Sequence, residues 1–309
     1  MIEKIPHITV CVCTYKRPVF LNRLLEILVT QICNDLFSYS VVVVDNDSEK
    51  SAESVVSKIK GKTGIPVKYY HEVEKGFSQA RNAAVRNATG DFIAFIDDDE
   101  FPEKTWLINL YRTITGSNAS GVLGPVIPHF ETPPPKWVVK SKLLDRDRFP
   151  TGTVLGAIDL RTGNVIFNRK VFDSTPMPFD VRFGKTGGED SDFFKRMLNN
   201  KHTFIWCDEA PAFETVPEDR FTRAYFLRRA LLRGITEAKP GADKQKRSSS
   251  TSFNNIIKSI AAVIIYWTLL PFLVVLWHHL FMRYLVKSFD HAGKLLALCG
   301  IEPVKGRNF

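Results

Sequence analysis

Three successive carboxylates, Asp97, Asp98 and Asp99, close the stretch FIAFIDDDE at Phe92–Glu100. The five apolar residues before them suit a strand buried on both faces, and ionised carboxylates are costly to hold close together. A divalent cation offsets that cost. Hard oxygen donors with no His or Cys alongside select Mg2+ or Mn2+, which takes few protein carboxylates and completes its shell with substrate phosphates. A second apolar run, YSVVVVDND, also ends in acid, at Asp45 and Asp47. Ligands of open parallel sheets sit beyond the carboxyl ends of the strands, so the stretch FIDDDE reads as half of a metal–diphosphate site. The bland alternative is a solvated acidic turn capping a helix begun near Pro102. A third acid group, Gly187–Gly188–Glu189–Asp190, opens a stretch of helical pattern reaching Leu198. A carboxylate at a helix start is favoured in its ionised form and can take a proton from an attacking hydroxyl, although an ordinary helix cap gives the same pattern.

The elements that would position these acids follow from periodicity and breakers. HITVCVCTY (7–15), YSVVVVDND (39–47), VKYYHE (67–72) and DFIAFIDDD (91–99) read as strands. Pro18 opens a helix across FLNRLLEIL, residues 50–60 read as a helix, and Gly76 and Ser78 start another through ARNAAVRNA that Gly90 stops. This alternation predicts an α/β fold around a mostly parallel sheet. Beyond Trp106 the rhythm changes. GVLGPVIPHF reads as one strand, Pro133–Pro135 as a stiff loop, VLGAIDLRTGNVIFNR as strand, turn at Thr162–Gly163 and strand, and HTFIWCD as a further strand. Residues 219–237 form an amphipathic basic helix and 238–252 a polar linker, leaving 1–218 for catalysis and 253–309 for a membrane-associated segment.

The 309 residues carry a net charge of +9, unevenly placed: 15 Lys/Arg face 4 Asp/Glu from Arg220 onward. The body is therefore near neutral, which argues against nucleic acid, and the basic tail suits an anionic membrane surface. The opening MIEKIPHITV has neither the basic start nor the apolar run of a signal peptide, and the five cysteines show no CxxC or Cys/His metal spacing. Reduced thiols in a cytosolic protein are the expectation.

Taken together in this order, CTYKRP, VDNDS, GFSQARNAAVRNATGDFIAFIDDDE and KTGGEDSDFFKRM resemble the family-2 glycosyltransferases of the nucleotide-diphospho-sugar transferase (GT-A) fold, over residues 7 to about 220. GEDSDFF and ETVPEDR are most similar to bacterial succinoglycan-type exopolysaccharide glucosyltransferases. The resemblance implies donor binding by Thr14, Tyr15, Arg17, Asp45, Asp47, Arg81, Asp97 and Asp98. Within that set Asp45 would accept from the base edge and Asp97 would reach the ribose. It further implies a Mn2+ or Mg2+ ion on Asp99 and Asp97, a catalytic base at Asp190, and Glu189 orienting the acceptor. Gly187, Gly188 and Asn164 would belong to the acceptor or donor loop, with a turn-stabilising Asn as the alternative for Asn164. Many relatives carry a metal-ligating His near the segment AFETVPEDR. Here no His is present, and Glu214 or water would complete the shell. The QxxRW pattern of processive synthases is also absent, which favours addition of one sugar.

Ser259 to Met282 is a 24-residue run without Asp, Glu, Lys or Arg. Its length suffices for one crossing, but Pro271 would kink or break it, and basic residues flank both ends. A re-entrant or interface-lying helix pair is the expectation, with a single span as alternative. Homo-oligomerisation is expected where re-entrant backbone needs cover. The functional expectation is inverting transfer of one hexose from a nucleotide-sugar, UDP-linked, to a lipid-linked saccharide at the cytoplasmic face of the inner membrane. Two other classes compete. A sugar nucleotidyltransferase would need a Gly/Lys-rich phosphate loop that CTYKRP does not supply, and a non-catalytic basic membrane-binding module leaves the acid-tipped strands unexplained. Trp137 and Trp206 as sugar platforms, and Arg220 and Arg223 as diphosphate contacts, are weaker candidates.

Overall fold

Period-two alternation within apolar strands builds the two faces of the central sheet. The computed structural model describes residues 5–173, 177–184, 187–238 and 249–301. It divides into two units, Met1–His129 with Arg146–Thr215, and Phe130–Asp145 with Val216–Phe309. The first carries, in chain order, β1 (His7–Thr14), α1 (Pro18–Leu28), β2 (Ser38–Asp45), α2 (Glu53–Lys60), β3 (Val67–His71), α3 (Phe77–Asn87) and β4 (Phe92–Phe95). There follow β5 (Glu100–Pro102), α4 (Trp106–Thr115), β6 (Gly121–Leu123), β7 (Val126–His129), β8 (Val165–Asn168), α6 (Glu189–Asn199), β9 (Phe204–Trp206) and β10 (Ala212–Thr215).

Strand order in the large sheet is β3-β2-β1-β4-β8-β6-β9. The first four strands are parallel, β8 runs antiparallel to both its neighbours, and β6 and β9 are parallel. Ile8, Val10, Val12, Val41, Val43 and Ala94 face the leucines of α1 in one buried layer. The intervening Cys11, Val42, Val44, Ile93 and Phe95 face the alanines of α3 and the phenylalanines of α6 in another. This two-sided burial is why the strands read as continuous apolar runs. The register sets Thr14 beside Asp45 and Asp45 beside His71, with Cys11 beside Phe95, so β1 to β4 end along one edge.

A small second sheet has the order β5-β10-β7. The run GVLGPVIPHF is therefore two strands in different sheets, because Gly124–Pro125 interrupts it and Pro125 supplies no N–H to a ladder. In VLGAIDLRTGNVIFNR only Val165–Asn168 is a ladder strand; Val154 makes an isolated bridge to Ile205. α3 ends at Asn87, and Gly90 lies outside it where β1 passes too closely for a side chain. All five cysteines are free.

The second unit contains α5 (Lys136–Ser141), α7 (Arg223–Ala238), α8 (Ser249–Leu276) and α9 (His278–Leu298). Phe130–Asp145 thus belongs with the C-terminal helices, whereas the sequence placed it in the 1–218 portion. Gly234 of α7 and Gly293 of α9 allow backbone contact: a Cβ on either would strike the carbonyl of Asp290 or Leu231. Arg233 Nε donates to Asp290 Oδ1 at 2.7 Å. Val138, Phe226, Ala230 and Val286 form this unit's core. Trp137 packs edge-on to Phe226 and His278, and Trp206 is buried in the first unit, so both tryptophans are core aromatics. Arg223 is occupied by His278, at 3.1 Å. Pro271 lies inside α8, and the helical run breaks at Trp277 instead. Much of the 238–252 linker lies outside the described residues, and α8 already begins at Ser249. Among the described residues no helix is long and apolar enough to cross a membrane.

Candidate active site

The acids meet arginines at the carboxyl edge of the large sheet. β4 ends at Phe95, and the chain turns through Asp97–Asp99 before Glu100 starts β5. Arg17, the residue before α1, donates Nη1 to Asp98 Oδ1 at 2.9 Å and to Asp99 Oδ2 at 3.0 Å. Thr14, the last residue of β1, donates its hydroxyl to Asp98 Oδ2 at 2.7 Å. Asp98 is thus a buried anchor between strand and helix. Burial raises its pKa, and the Arg17 guanidinium opposes that shift.

Arg81 projects from α3 between two acid groups. It donates to Glu189 at the start of α6 and lies 3.8 Å from Asp97 Oδ1. Burial would lower the Arg81 pKa, but Glu189, Asp97 and Asp190 outweigh it and hold the guanidinium charged. Glu189 is buried, and its second oxygen, Oε2, has no hydrogen-bond partner. Gly187 and Gly188 hold φ of 76° and 97°, the left-handed region in which glycine is unstrained. They turn the chain into α6, so that Asp190 falls in the first helical turn with Oδ1 accepting from the Ser191 N–H at 2.7 Å.

Two of the predicted donor residues lie at the ends of β2 and β3. Asp45 is fully buried. Its Oδ1 accepts from the Asp47 N–H at 3.0 Å, and its Oδ2 from the Ala52 N–H at 2.8 Å and the Tyr69 hydroxyl at 3.2 Å. Asp47 is also buried, and its Oδ2 has no partner. Of the two, Asp47 retains the open acceptor. The Tyr15 hydroxyl meets Lys75 Nζ at 2.9 Å, and the same ammonium lies 4.6 Å from the Tyr15 ring centroid.

Asn164 is placed differently from a ligand contact. It is fully buried at φ 51°, its Oδ1 accepts from Trp106 Nε1 at 2.7 Å, and its Nδ2 donates to the carbonyls of Pro125 at 2.8 Å and Ala210 at 2.9 Å. The turn-stabilising alternative holds, because no polar atom of its amide is left for a ligand.

Four residues join the site that motif reading passed over. Glu100 is buried, its pKa raised well above the ordinary carboxylate range by burial and by Asp97. It pairs in the β5–β10 ladder directly opposite Glu214, an unfavourable like-charge arrangement. Arg146 offsets it by donating Nη2 to Glu214 Oε2 at 2.5 Å. Glu214 is therefore an ion-pair partner in this arrangement. Gly163 packs on the acids so closely that a Cβ would sit 2.9 Å from Glu100 Oε1 and 3.0 Å from Asp97 Oδ2. Arg161 stands two residues before it. Glu100 had a visible signal, since it extends the acid run; the two arginines lie in loops with no periodicity to flag them.

Among the described residues no group of three His, Cys, Asp or Glu side chains is arranged to hold a metal by itself. The donor set nonetheless fits a hard cation that takes few protein ligands. Half of the Asp97 side-chain surface is exposed, its ion-pair contact among the described residues is the long one to Arg81, and Asp99 stands two residues away.

The family model "Glycosyl transferase family 2" matches residues 9–175. The chain is 34% identical over 241 residues to "Succinoglycan biosynthesis protein ExoM" of Rhizobium meliloti, covering 77% of this chain and 76% of that protein. Among solved structures it is similar to the mannosyltransferase PcManGT of Pyrobaculum calidifontis in complex with GDP-Man and Mn2+, with TM-score 0.64, 19% identity, and coverage of 96% and 87% of the two chains. It is also similar to residues 1–349 of S. aureus TarS in complex with UDP, with TM-score 0.53, 17% identity, and coverage of 96% and 93%. These structural likenesses establish the GT-A-like α/β fold.

Proposed function

This chain belongs to glycosyl transferase family 2, and from that premise we propose that it is an inverting enzyme moving one hexose from a UDP-sugar to a hydroxyl of a lipid-linked saccharide. The observation that carries the reading is the convergence of Arg17, Asp97–Asp99, Arg81 and Glu189–Asp190 at the sheet edge where β1 and β4 end. The nucleoside lies over the ends of β1 and β2, where the Asp47 carboxylate and Tyr15 offer an acceptor and an aromatic face. Arg17 faces the diphosphate. Asp99 and Asp97 would hold Mn2+ or Mg2+, which supplies charge stabilisation for the departing nucleoside diphosphate.

Asp190 takes the proton of the acceptor hydroxyl as its oxygen attacks the anomeric carbon. A single displacement by one activated hydroxyl inverts that carbon. Arg81 fixes Glu189, whose unpartnered Oε2 is the natural contact for an acceptor hydroxyl. The relative from Rhizobium meliloti is named for succinoglycan biosynthesis, which supports a place in polysaccharide assembly. The acceptor is presented from the cytoplasmic face of the inner membrane, with α8 lying on the lipid through an exposed apolar face.

Calorimetry with UDP and Mn2+ tests the donor half. Asp99→Asn is expected to weaken UDP binding and to remove most of its dependence on Mn2+. Equal affinity with and without Mn2+ in the unsubstituted protein overturns the metal-assisted reading. Turnover of radiolabelled UDP-hexoses with a lipid extract then tests transfer itself.

A further inference from the structure

Apolar contacts anchor α3 to the sheet: Ala80, Ala83, Ala84 and Val85 are buried in the core layer that it shares with β1, β2 and β4. Two further buried residues of the helix are polar, Ser78 at 0% and Asn82 at 1% exposure. Four residues apart, they share a face, and both aim their hydrogen bonds at one loop. Ser78 Oγ donates to the Asp180 carbonyl at 2.8 Å. Asn82 Nδ2 donates to the Phe179 carbonyl at 2.7 Å, and the Phe179 N–H donates back to Asn82 Oδ1 at 2.9 Å. The Phe77 N–H adds a bond to the Gly184 carbonyl at 3.0 Å.

That loop, residues 177–188, leads into Glu189 and Asp190. Among its described residues the 3-10 turn Val181–Phe183 is the only regular element. Its buried backbone therefore needs partners from elsewhere. Asn82 supplies them as a strand would, because its amide carries the donor and the acceptor that match the two backbone groups of Phe179.

Phe179 passes the constraint on to the base. Its fully buried ring lies 4.8 Å, centroid to centroid, from Phe193, which stands three residues after Asp190 in α6. The Arg81 guanidinium lies 6.0 Å from the same ring and donates to Glu189. Arg196 of α6 donates Nη2 to the carbonyl of Pro178, the residue before Phe179. The Gly187 N–H donates to the Phe183 carbonyl at 2.9 Å, which ties the loop to the glycine turn. Asn82 thus clamps the residue against which the start of α6 is packed.

We propose that Asn82 is a positioning residue for transfer: through Phe179 it sets where α6 begins, and so the reach of the Asp190 carboxylate to the acceptor hydroxyl. This rests on the reading of Asp190 as the base. Asn82 is buried with both amide atoms occupied, so it acts through the loop and touches neither substrate. A base works only within hydrogen-bond reach of the proton it takes, and a misplacement of about 1 Å can cost about 10²-fold in rate.

The test uses the full chain, radiolabelled UDP-glucose and UDP-galactose as donors, and a lipid extract as acceptor. Calorimetry with UDP and Mn2+ counts the binding-competent sites, so that turnover per site is free of any unfolded fraction. Asn82→Ala is expected to keep UDP affinity and donor KM while kcat per site falls about tenfold or more. Ser78→Ala removes only a hydroxyl. It should lower kcat per site about threefold or more, and it carries the test if Asn82→Ala binds no UDP. Tyr39→Phe is the control for general destabilisation. It removes a buried bond to the Leu28 carbonyl at the other end of β2, away from the acids, and should leave kcat per site unchanged. Unchanged kcat per site in the α3 variants overturns the proposal, as does an equal loss in Tyr39→Phe. A raised donor KM at unchanged kcat also overturns it, by placing Asn82 in donor binding. Asp190→Asn is run alongside. Near-normal turnover by that variant removes the base assignment and this inference with it, and turnover of neither donor by the unsubstituted chain removes the UDP-hexose reading on which both stand.

Discussion

At the residue scale, charge compensation separates the roles of neighbouring acids. Asp98 is locked by Thr14 and Arg17, and Glu189 is held by Arg81. Asp190 Oδ1 accepts from the N–H of the next residue, Ser191, at 2.7 Å. Asp190→Asn is therefore expected to fold and to bind UDP normally while transfer falls by about 10²–10⁴, the usual contribution of a general base. Near-normal turnover measured with this variant moves the base elsewhere. Gly163 gives a second test. A methyl group there meets Glu100 and Asp97 at about van der Waals overlap, and an overpacked site typically costs 1–3 kcal/mol. Gly163→Ala is expected to weaken UDP–Mn2+ binding by about tenfold through displacement of Asp97. Unchanged affinity in calorimetry would mean that Asp97 does not touch the nucleotide complex.

At the element scale, legibility followed pattern length. β1, β2 and β4 were readable because two-sided burial demands unbroken apolar runs, and the acids at their ends needed only the rule that sites lie at strand ends. β6, β7 and β8 are three or four residues each, too short to carry a period, and their partners are fixed by tertiary contacts. The sequence placed Asn164 between ligand contact and turn residue with no means to decide. What decides it is distant in the chain: Trp106, Pro125 and Ala210 converge on one amide. Arg146 was illegible for the same reason, since a loop arginine acquires meaning from a partner across the fold, here Glu214. Asn164 thereby joins α4 to the loops around β7 and β10. Asn164→Ala would leave the buried Trp106 N–H and the Ala210 carbonyl without this partner, while the Pro125 carbonyl keeps the Ala212 N–H; the expected cost in urea unfolding is about 2–4 kcal/mol. A loss under 0.5 kcal/mol would mean that water replaces the amide without penalty.

At the scale of the whole molecule, a run of exposed large apolar side chains lies on α8. Ile257, Ile260 and Ile264, and again Ile265, Leu269 and Phe272, follow three- and four-residue steps along α8, each 43% exposed or more. The rest of the helix is tied to α9: Trp267 Nε1 donates to Ser288 Oγ at 3.0 Å, and Ser259 meets His291 at 3.2 Å. A continuous apolar stripe on a helix with its other side already packed needs a partner of its own. Lys258 lies within α8, and Arg283 and Lys287 lie in α9, cations of the kind that anionic lipid attracts. Ile264→Glu combined with Phe272→Glu alters only exposed positions, so the fold and UDP binding are expected to persist. Burying such a side chain contributes about 1.5–3 kcal/mol. The double variant is therefore expected to lose about 10² or more in affinity for vesicles containing anionic phospholipid, measured by flotation. Transfer to lipid-linked acceptor should fall with it. Undiminished flotation would remove α8 from the membrane. Loss of a dimer in sedimentation, with vesicle binding intact, would assign the stripe to a second copy of the chain.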